Sequence, residues 1–434
     1  MDGDPVSPGP SAVDRLAGAA RPAVERRRRA RASQLGFGRA ATVGALAVAV
    51  ALVVASTALL IAHMDKPERT ATSVSRASPA APSPPTAEAS TAWSVVSDQA
   101  YPKTALAAVT CVDATDCWAV GSGTPYAVIE HFSGYQWGAY AIPGTPPLLN
   151  CPLATDACWS ATLNAVTCVS ATDCWAVGQT TVFTAGGVPA SQQPLIADWS
   201  SSGWSFVPSP TIPATYPWNS VDPDAGLSAV SCIGAADCWA VGAVEPSGSL
   251  IEHWDGIAWS LIDVGPQGAL TGLACTPAGD CWAVGAVTLH YADSTWTEVS
   301  IPTLTSIVCP GADDCWATQL NSVEPAHWDG TTWGYFASPL WGQGGGAAIN
   351  AIACPAVTDC WAVGMEGFGT ANSLLEHFDG STWTEVSAPA APNGVLRAIA
   401  CADADECWAI GAYLGFDLAP LIETNVGADG SVTP

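Results

Sequence analysis

Cysteine carries most of the reactive chemistry this sequence offers, and its sixteen copies come in pairs. In "CVSATDCWAVG", from Cys168, two thiols stand six positions apart, with Asp before the second and Trp after it. Related stretches begin at Cys111, Cys232, Cys275, Cys309, Cys354 and Cys401, and a looser one, "CPLATDACWSA", at Cys151. Thiols at this density bind zinc or pair with each other. Zinc requires converging pairs or nearby histidines. Five intervening residues instead suit a hairpin loop, whose flanking strands hold opposed Cα atoms about 4.5–5.5 Å apart. That lies within the roughly 4.4–6.8 Å that a disulfide spans. The spacing therefore predicts bonds Cys111–Cys117, Cys151–Cys158, Cys168–Cys174, Cys232–Cys238, Cys275–Cys281, Cys309–Cys315, Cys354–Cys360 and Cys401–Cys407, with no thiol left over.

Two other chemical residue types repeat in step. His131, His253, His290, His327 and His377 share one position of the unit, and Asp116, Asp173, Asp237, Asp280, Asp314 and Asp359 share another, with Glu406 in the last copy. Groups supplied once per unit of a ring point away from one another, so a common metal is not expected. The histidines read as structural side chains hydrogen-bonded inside their own unit. The aspartates read as turn residues whose carboxylates cap backbone N–H groups. The Glu-His pairs of "IEH" and "LEH" recur too regularly to be one catalytic dyad. No G-x-S-x-G, H-E-x-x-H, P-loop or EF-hand loop occurs. "DPDAG", Asp222 to Gly226, is a candidate oxygen-ligand set for Ca2+; no other cofactor is expected.

The elements that must hold these groups are strands. A full copy carries four apolar runs, as in "LSAVSC", "CWAVGAV", "SLIEHW" and "AWSLIDV", punctuated by Gly, Pro, Asp and Ser. "WDGIAW" supplies a short Asp-Gly turn between the third and fourth. Four strands recurring about every 45 residues build a propeller blade. Third-strand copies and fourth-strand tryptophans (Trp137, Trp204, Trp259, Trp296, Trp333 and Trp383, plus Trp93) each number seven. The Cys151–Cys158 copy lacks these partners and reads as an inserted hairpin, so seven blades are expected, with eight as the alternative. Trp93 begins an orphan fourth strand and Leu421 an orphan third. Pairing them completes the last blade and removes an exposed sheet edge.

With "CVSATDCWAVG" and "LIEHWDGxxW" in hand, the chain resembles propellers of the BNR/Asp-box and photosystem-assembly-factor type, and more loosely kelch repeats. It is most similar to exported, cysteine-stapled variants from high-GC bacteria. The resemblance covers residues 91 to 425 and implies fold more than function, because propellers host many unrelated activities. "DGSTW", from Asp379, is one residue shorter than the usual Asp-box turn. Sialidases of this type clamp a carboxylate with three arginines, whereas the propeller segment here offers only Arg397.

Charge divides the chain. Eleven of the thirteen basic residues precede position 77, and from residue 89 onward 32 acids face only Lys103 and Arg397. Binding to phosphate backbones needs clustered Lys and Arg, so nucleic acid is excluded as a partner. Residues 1–39 read as a disordered basic cytoplasmic tail. Residues 40–62 are uncharged and long enough to cross a hydrocarbon core of about 30 Å as one helix. The arginines before it place the N-terminus in the cytoplasm. A cleaved signal peptide is the competing reading, although its apolar region usually runs about 7 to 15 residues. Residues 63–90 form a Pro/Ser/Ala-rich linker, and 91–434 an all-β propeller outside the cell membrane.

The joins between second and third strands, and between blades, vary in length and emerge on one face. Loops carry function on a rigid scaffold. Tyr216, Trp218, Asp222, Asp224, Trp341, Tyr413 and Phe416 are therefore the candidate ligand-binding residues. The chain is expected to act as a monomeric binding module for a protein or glycan at the cell surface. The alternatives are a lyase or hydrolase acting on polysaccharide through Asp222, Asp224 and Asp417, or a structural or assembly scaffold. No catalytic residue is assigned.

Overall fold

A computed structural model describes residues 93–96, 104–123, 127–140, 158–183, 189–213, 225–246, 248–265, 267–340, 346–367, 371–414 and 419–425, without the side chains of residues 158, 159, 189 and 190. The expected tail, membrane segment and linker lie outside these residues. So do Cys151, Tyr216, Trp218, Asp222, Asp224, Trp341, Phe416 and Asp417. Among the described residues no helix is long and apolar enough to cross a membrane.

The described residues form seven antiparallel sheets of four strands each. Six blades are continuous in sequence, spanning 104–140, 158–207, 225–261, 270–299, 304–335 and 348–386. The seventh takes three strands from 394–424 and its fourth, Ser94–Val96, from the other end of the chain, in the register Ser94↔Thr424, Val95↔Glu423 and Val96↔Ile422.

Blade 3 shows why "CWAV" is apolar at every position. Along its second strand, Asp237–Val244, side chains alternate between two faces, and neither face meets water. Cys238, Ala240 and Val244 pack with Trp175, Val177 and Ile196 of blade 2. Trp239 and Val241 pack with Leu270, Leu273 and Leu289 of blade 4. All seven hydrophobic clusters follow this plan, each shared by two successive blades. Each second-strand tryptophan also meets the fourth-strand tryptophan of the next blade at a steep angle. Trp118–Trp204, Trp175–Trp259, Trp239–Trp296, Trp282–Trp333, Trp316–Trp383 and Trp408–Trp137 have centroids 5.3–5.4 Å apart, and Trp361–Trp93 completes the circle at 5.4 Å. Such edge-to-face pairs add about 0.5–1.5 kcal/mol each beyond the area they bury.

Seven of the expected disulfides are present, with Cα atoms 4.0–4.1 Å apart, and no described cysteine is free. The partners sit directly opposite, as at Cys232↔Cys238, close to the shorter class of antiparallel pair. The Cys151–Cys158 bond lies outside the described residues. Cys158 itself does not belong to a separate hairpin. It opens the thirteen-residue first strand of blade 2, whose ladder runs without a break from Cys158↔Phe183 to Leu163↔Gly178. Denatured, unreduced protein should show no free thiol, and digestion should release only sequence-adjacent links. Removing the Cys232–Cys238 bond should cost about 2 kcal/mol in a denaturant titration, the value for closing so short a loop.

The glycine of "CWAVG" is needed for space. A Cβ on Gly242 would lie 2.0 Å from the Gly226 carbonyl oxygen and 2.8 Å from the Leu227 Cα. Both are backbone atoms of the first strand and cannot swing aside. Gly242→Ala should therefore lower stability by about 3 kcal/mol, the upper part of the overpacking range. Gly334→Ala, with nothing within 4 Å of the new methyl, should change it little. Blade 5 carries Gln319 at the glycine position, and its first strand is shifted over a wider interval, between Leu304 and Ile307. The buried Thr318 hydroxyl fills that bulge by bonding to the Thr305 hydroxyl at 2.8 Å and accepting from the Ser306 N–H at 3.1 Å.

Candidate functional site

The first strands stand innermost and enclose a channel of about 540 Å³. A β-bulge interrupts each of them near the end where the inter-blade joins emerge. The extra residue takes no place in the ladder. Around the ring these residues are Ala107, Asn164, Ser228, Thr271, Thr305, Asn350 and Arg397, and all seven line the channel. Several tie a blade to the next. Asn164 Nδ2 donates to the Leu227 carbonyl at 2.8 Å, Asn350 Nδ2 to the Leu396 carbonyl at 2.7 Å, and Thr271 Oγ1 to the Thr305 carbonyl at 2.9 Å.

Arg397 breaks the pattern. It is exposed in the channel and is the one Lys or Arg among the described residues. Its guanidinium makes no hydrogen bond or ion pair to any described residue. The next member of the ring is Ala107, whose methyl leaves room beside it. No described residue of the channel wall is a carboxylate or a histidine. An arginine keeps its proton under all ordinary conditions, so this wall can hold an anion but cannot move a proton.

The opposite end of the ring carries the cysteine hairpins and the Asp-Gly turns. There the Asp-Gly turns pack on the cysteine hairpins of the same blade: a Cβ on Gly256 would lie 2.8 Å from that of Ala236, and one on Gly330 2.8 Å from that of Asp313. Asp329 and Asp379 accept from hydroxyls and backbone N–H groups two and three residues on, which brings both carboxyls down to about 2.

The repeated aspartates do something other than the turn capping expected of them. Asp116, Asp237, Asp314 and Asp359 open the second strand, and the carboxylate of each accepts from the Nε2 of His131, His253, His327 or His377 respectively, at 2.7–2.9 Å. The pairing follows from register: the histidine stands opposite the strand's tryptophan, two residues beyond the aspartate and on the same face, and packs its ring on that indole. Loop capping falls instead to earlier residues such as Asp113 and Asp403. Four of the five repeat histidines are hydrogen-bonded within their own blades; the His290 ring stacks on Trp282 at 4.0 Å. In blade 2 the histidine position holds Asp198, and Asp173 rises above the usual carboxylate range through burial and then through the Asp198 charge.

The glutamates of "IEH" and "LEH" are fully buried and point to the other side of the strand from the histidines, which rules out a dyad. They bridge blades. Ser209 Oγ donates to Glu252 at 2.8 Å, Ser338 Oγ to Glu376 at 2.6 Å and Ser373 Oγ to Glu423 at 2.5 Å, each serine belonging to the preceding blade or its outgoing join. Burial pushes all three carboxyls up to about 7, and the serine hydroxyls offset only part of it.

Of the sequence-predicted ligand residues, Tyr413 is described. It ends the strand Glu406–Tyr413, half-buried against the cluster of Trp93, Ala391 and Leu396, and burial raises its hydroxyl. The channel arginine was not singled out as a site from sequence. The available signal was the variable middle residue of the runs "LAA", "LNA", "LSA", "LTG", "LTS", "INA" and "LRA", polar in six of the seven.

No family model matches the chain, and no curated protein matches it. Solved structures do. YCF48 bound to a D1 peptide aligns with a TM-score of 0.51 at 15% identity, covering 76% of this chain and 96% of its own. YCF48 from Cyanidioschyzon merolae gives 0.49 at 13%, covering 77% and 98%, and U3-55K gives 0.49 at 8%, covering 77% and 98%. What the chain shares with YCF48 is the fold: it is a seven-bladed β-propeller, stapled blade by blade with cysteine pairs.

Proposed function

We propose that this chain is a binding module, held at the membrane by residues 40–62 with the propeller displayed outside the cell, and that its partner is a protein. The observation that carries the reading is a closed, internally latched ring around an open channel, whose wall offers recognition groups and no proton-transfer pair. Its structural neighbour YCF48 holds a peptide, which supports a protein partner over a glycan. The test is a pull-down from surface-labelled cells with the whole chain in detergent, run beside a glycan array and a polysaccharide-turnover assay. A saturable protein partner is expected. Turnover of a polysaccharide without any protein or glycan bound would replace this reading with an enzymatic one.

A further inference from the structure

We infer that the channel takes the C-terminal carboxylate of a partner polypeptide, with Arg397 as its anchor; this rests on the binding-module reading. Three observations converge. The channel, at about 540 Å³, falls within the roughly 300–1,000 Å³ typical of ligand pockets. Its wall holds one cation, and that guanidinium is unpaired among the described residues while its neighbour Asn350 is engaged with the Leu396 carbonyl. A planar guanidinium presents a fork of donors that matches a carboxylate two bonds at a time. The small side chain of Ala107 leaves the approach open.

The surrounding charge narrows the ligand further. Glu245, Asp263, Glu298 and Glu385 are exposed at the ends of second and fourth strands, on the face where the bulge ring lies. An acidic peptide would be repelled there before reaching the arginine. A segment with basic residues upstream and a free carboxylate at its end satisfies both features: the basic residues meet the acidic rim and the terminus enters the channel.

The experiment uses the whole chain in detergent, as wild type, Arg397→Gln and Arg397→Lys. Each is offered random octapeptides tethered by their N-termini, one set with free C-termini and a matched set amidated. Thermal unfolding should be the same in all three proteins, since Arg397 bonds to no described residue. Wild type should select basic peptides from the free-carboxylate set. Their affinity should fall about tenfold or more on amidation, and equally in Arg397→Gln. Arg397→Lys should lie between, keeping the charge and losing the fork. Binders that depend on Arg397 but ignore amidation would overturn the terminal carboxylate in favour of an acidic side chain. Binders indifferent to both changes would overturn the channel site and leave the module reading intact. No binder in either set would overturn both.

Discussion

Deleting residues 93–96 is expected to lower stability by roughly 5 kcal/mol or more, above the 3–5 kcal/mol typical for truncating one buried tryptophan. The deletion removes Trp93, which is 6% exposed and meets the Trp361 ring at 5.4 Å. It also strips the outer strand from the last blade, leaving Ala419–Thr424 as an open edge. Unpaired edges recruit other chains, so the variant should self-associate as well as melt early. Trp93→Ala, which keeps the strand, should show the loss of stability without the association. Thermal unfolding with light scattering separates the two effects. A deletion variant that melts with the intact protein would mean that the terminal pairing does not close the ring.

The second large effect is on pH. Glu252, Glu376 and Glu423 hold their protons up to about 7 in the fold, against 4.5 for the unfolded chain. The native state therefore binds more protons than the unfolded state between those values, and stability falls as pH rises through that window. Below about 4.5 the contribution is complete; above about 7 it is lost, at a cost on the order of 3 kcal/mol per glutamate. The trend is opposed at the acid end by aspartates and, towards neutral pH, by His290, which burial holds below the usual histidine range. Asp113, Asp255, Asp329 and Asp379 are lowered by hydrogen bonds to their own turns, and they lose that support as pH drops below the usual carboxylate range. Urea titrations should show the highest midpoint near pH 5 and a marked decline by pH 8. The triple variant Glu252→Gln, Glu376→Gln and Glu423→Gln keeps an acceptor for each serine and should flatten the decline. An unchanged slope in that variant would assign the pH dependence to overall charge instead.

The blade plan was legible because it is written in local spacing. A strand shows itself by its apolar runs, a hairpin by "DG", and the order of blades by counting tryptophans. Ring closure followed from two orphan strands at opposite ends. What escaped depended on side-chain direction. The bulge in each first strand shifts the alternation by one residue, so counting in twos does not place Arg397 on the channel wall. The aspartates before "CW" sit where a hairpin loop meets a strand. Only the register with the third strand shows that they face histidine and not backbone amides. The partners of Glu252 and its equivalents were not legible, because the serines that meet them come from a neighbouring blade, 38 to 50 residues away in sequence.

The join between the two chain ends also fixes when the molecule can be finished. Ser94–Val96 is the first of the described strands to be synthesised, and the last of them, Ala419–Thr424, follows about 320 residues later. At roughly 5–20 residues per second that interval lasts about 15–65 s. Throughout it six blades can assemble side by side while Trp93 has no sheet to receive it. Any product that stops short of Ala419 keeps that indole and an open edge on display, a standing mark by which quality-control machinery can tell an unfinished chain from a complete one.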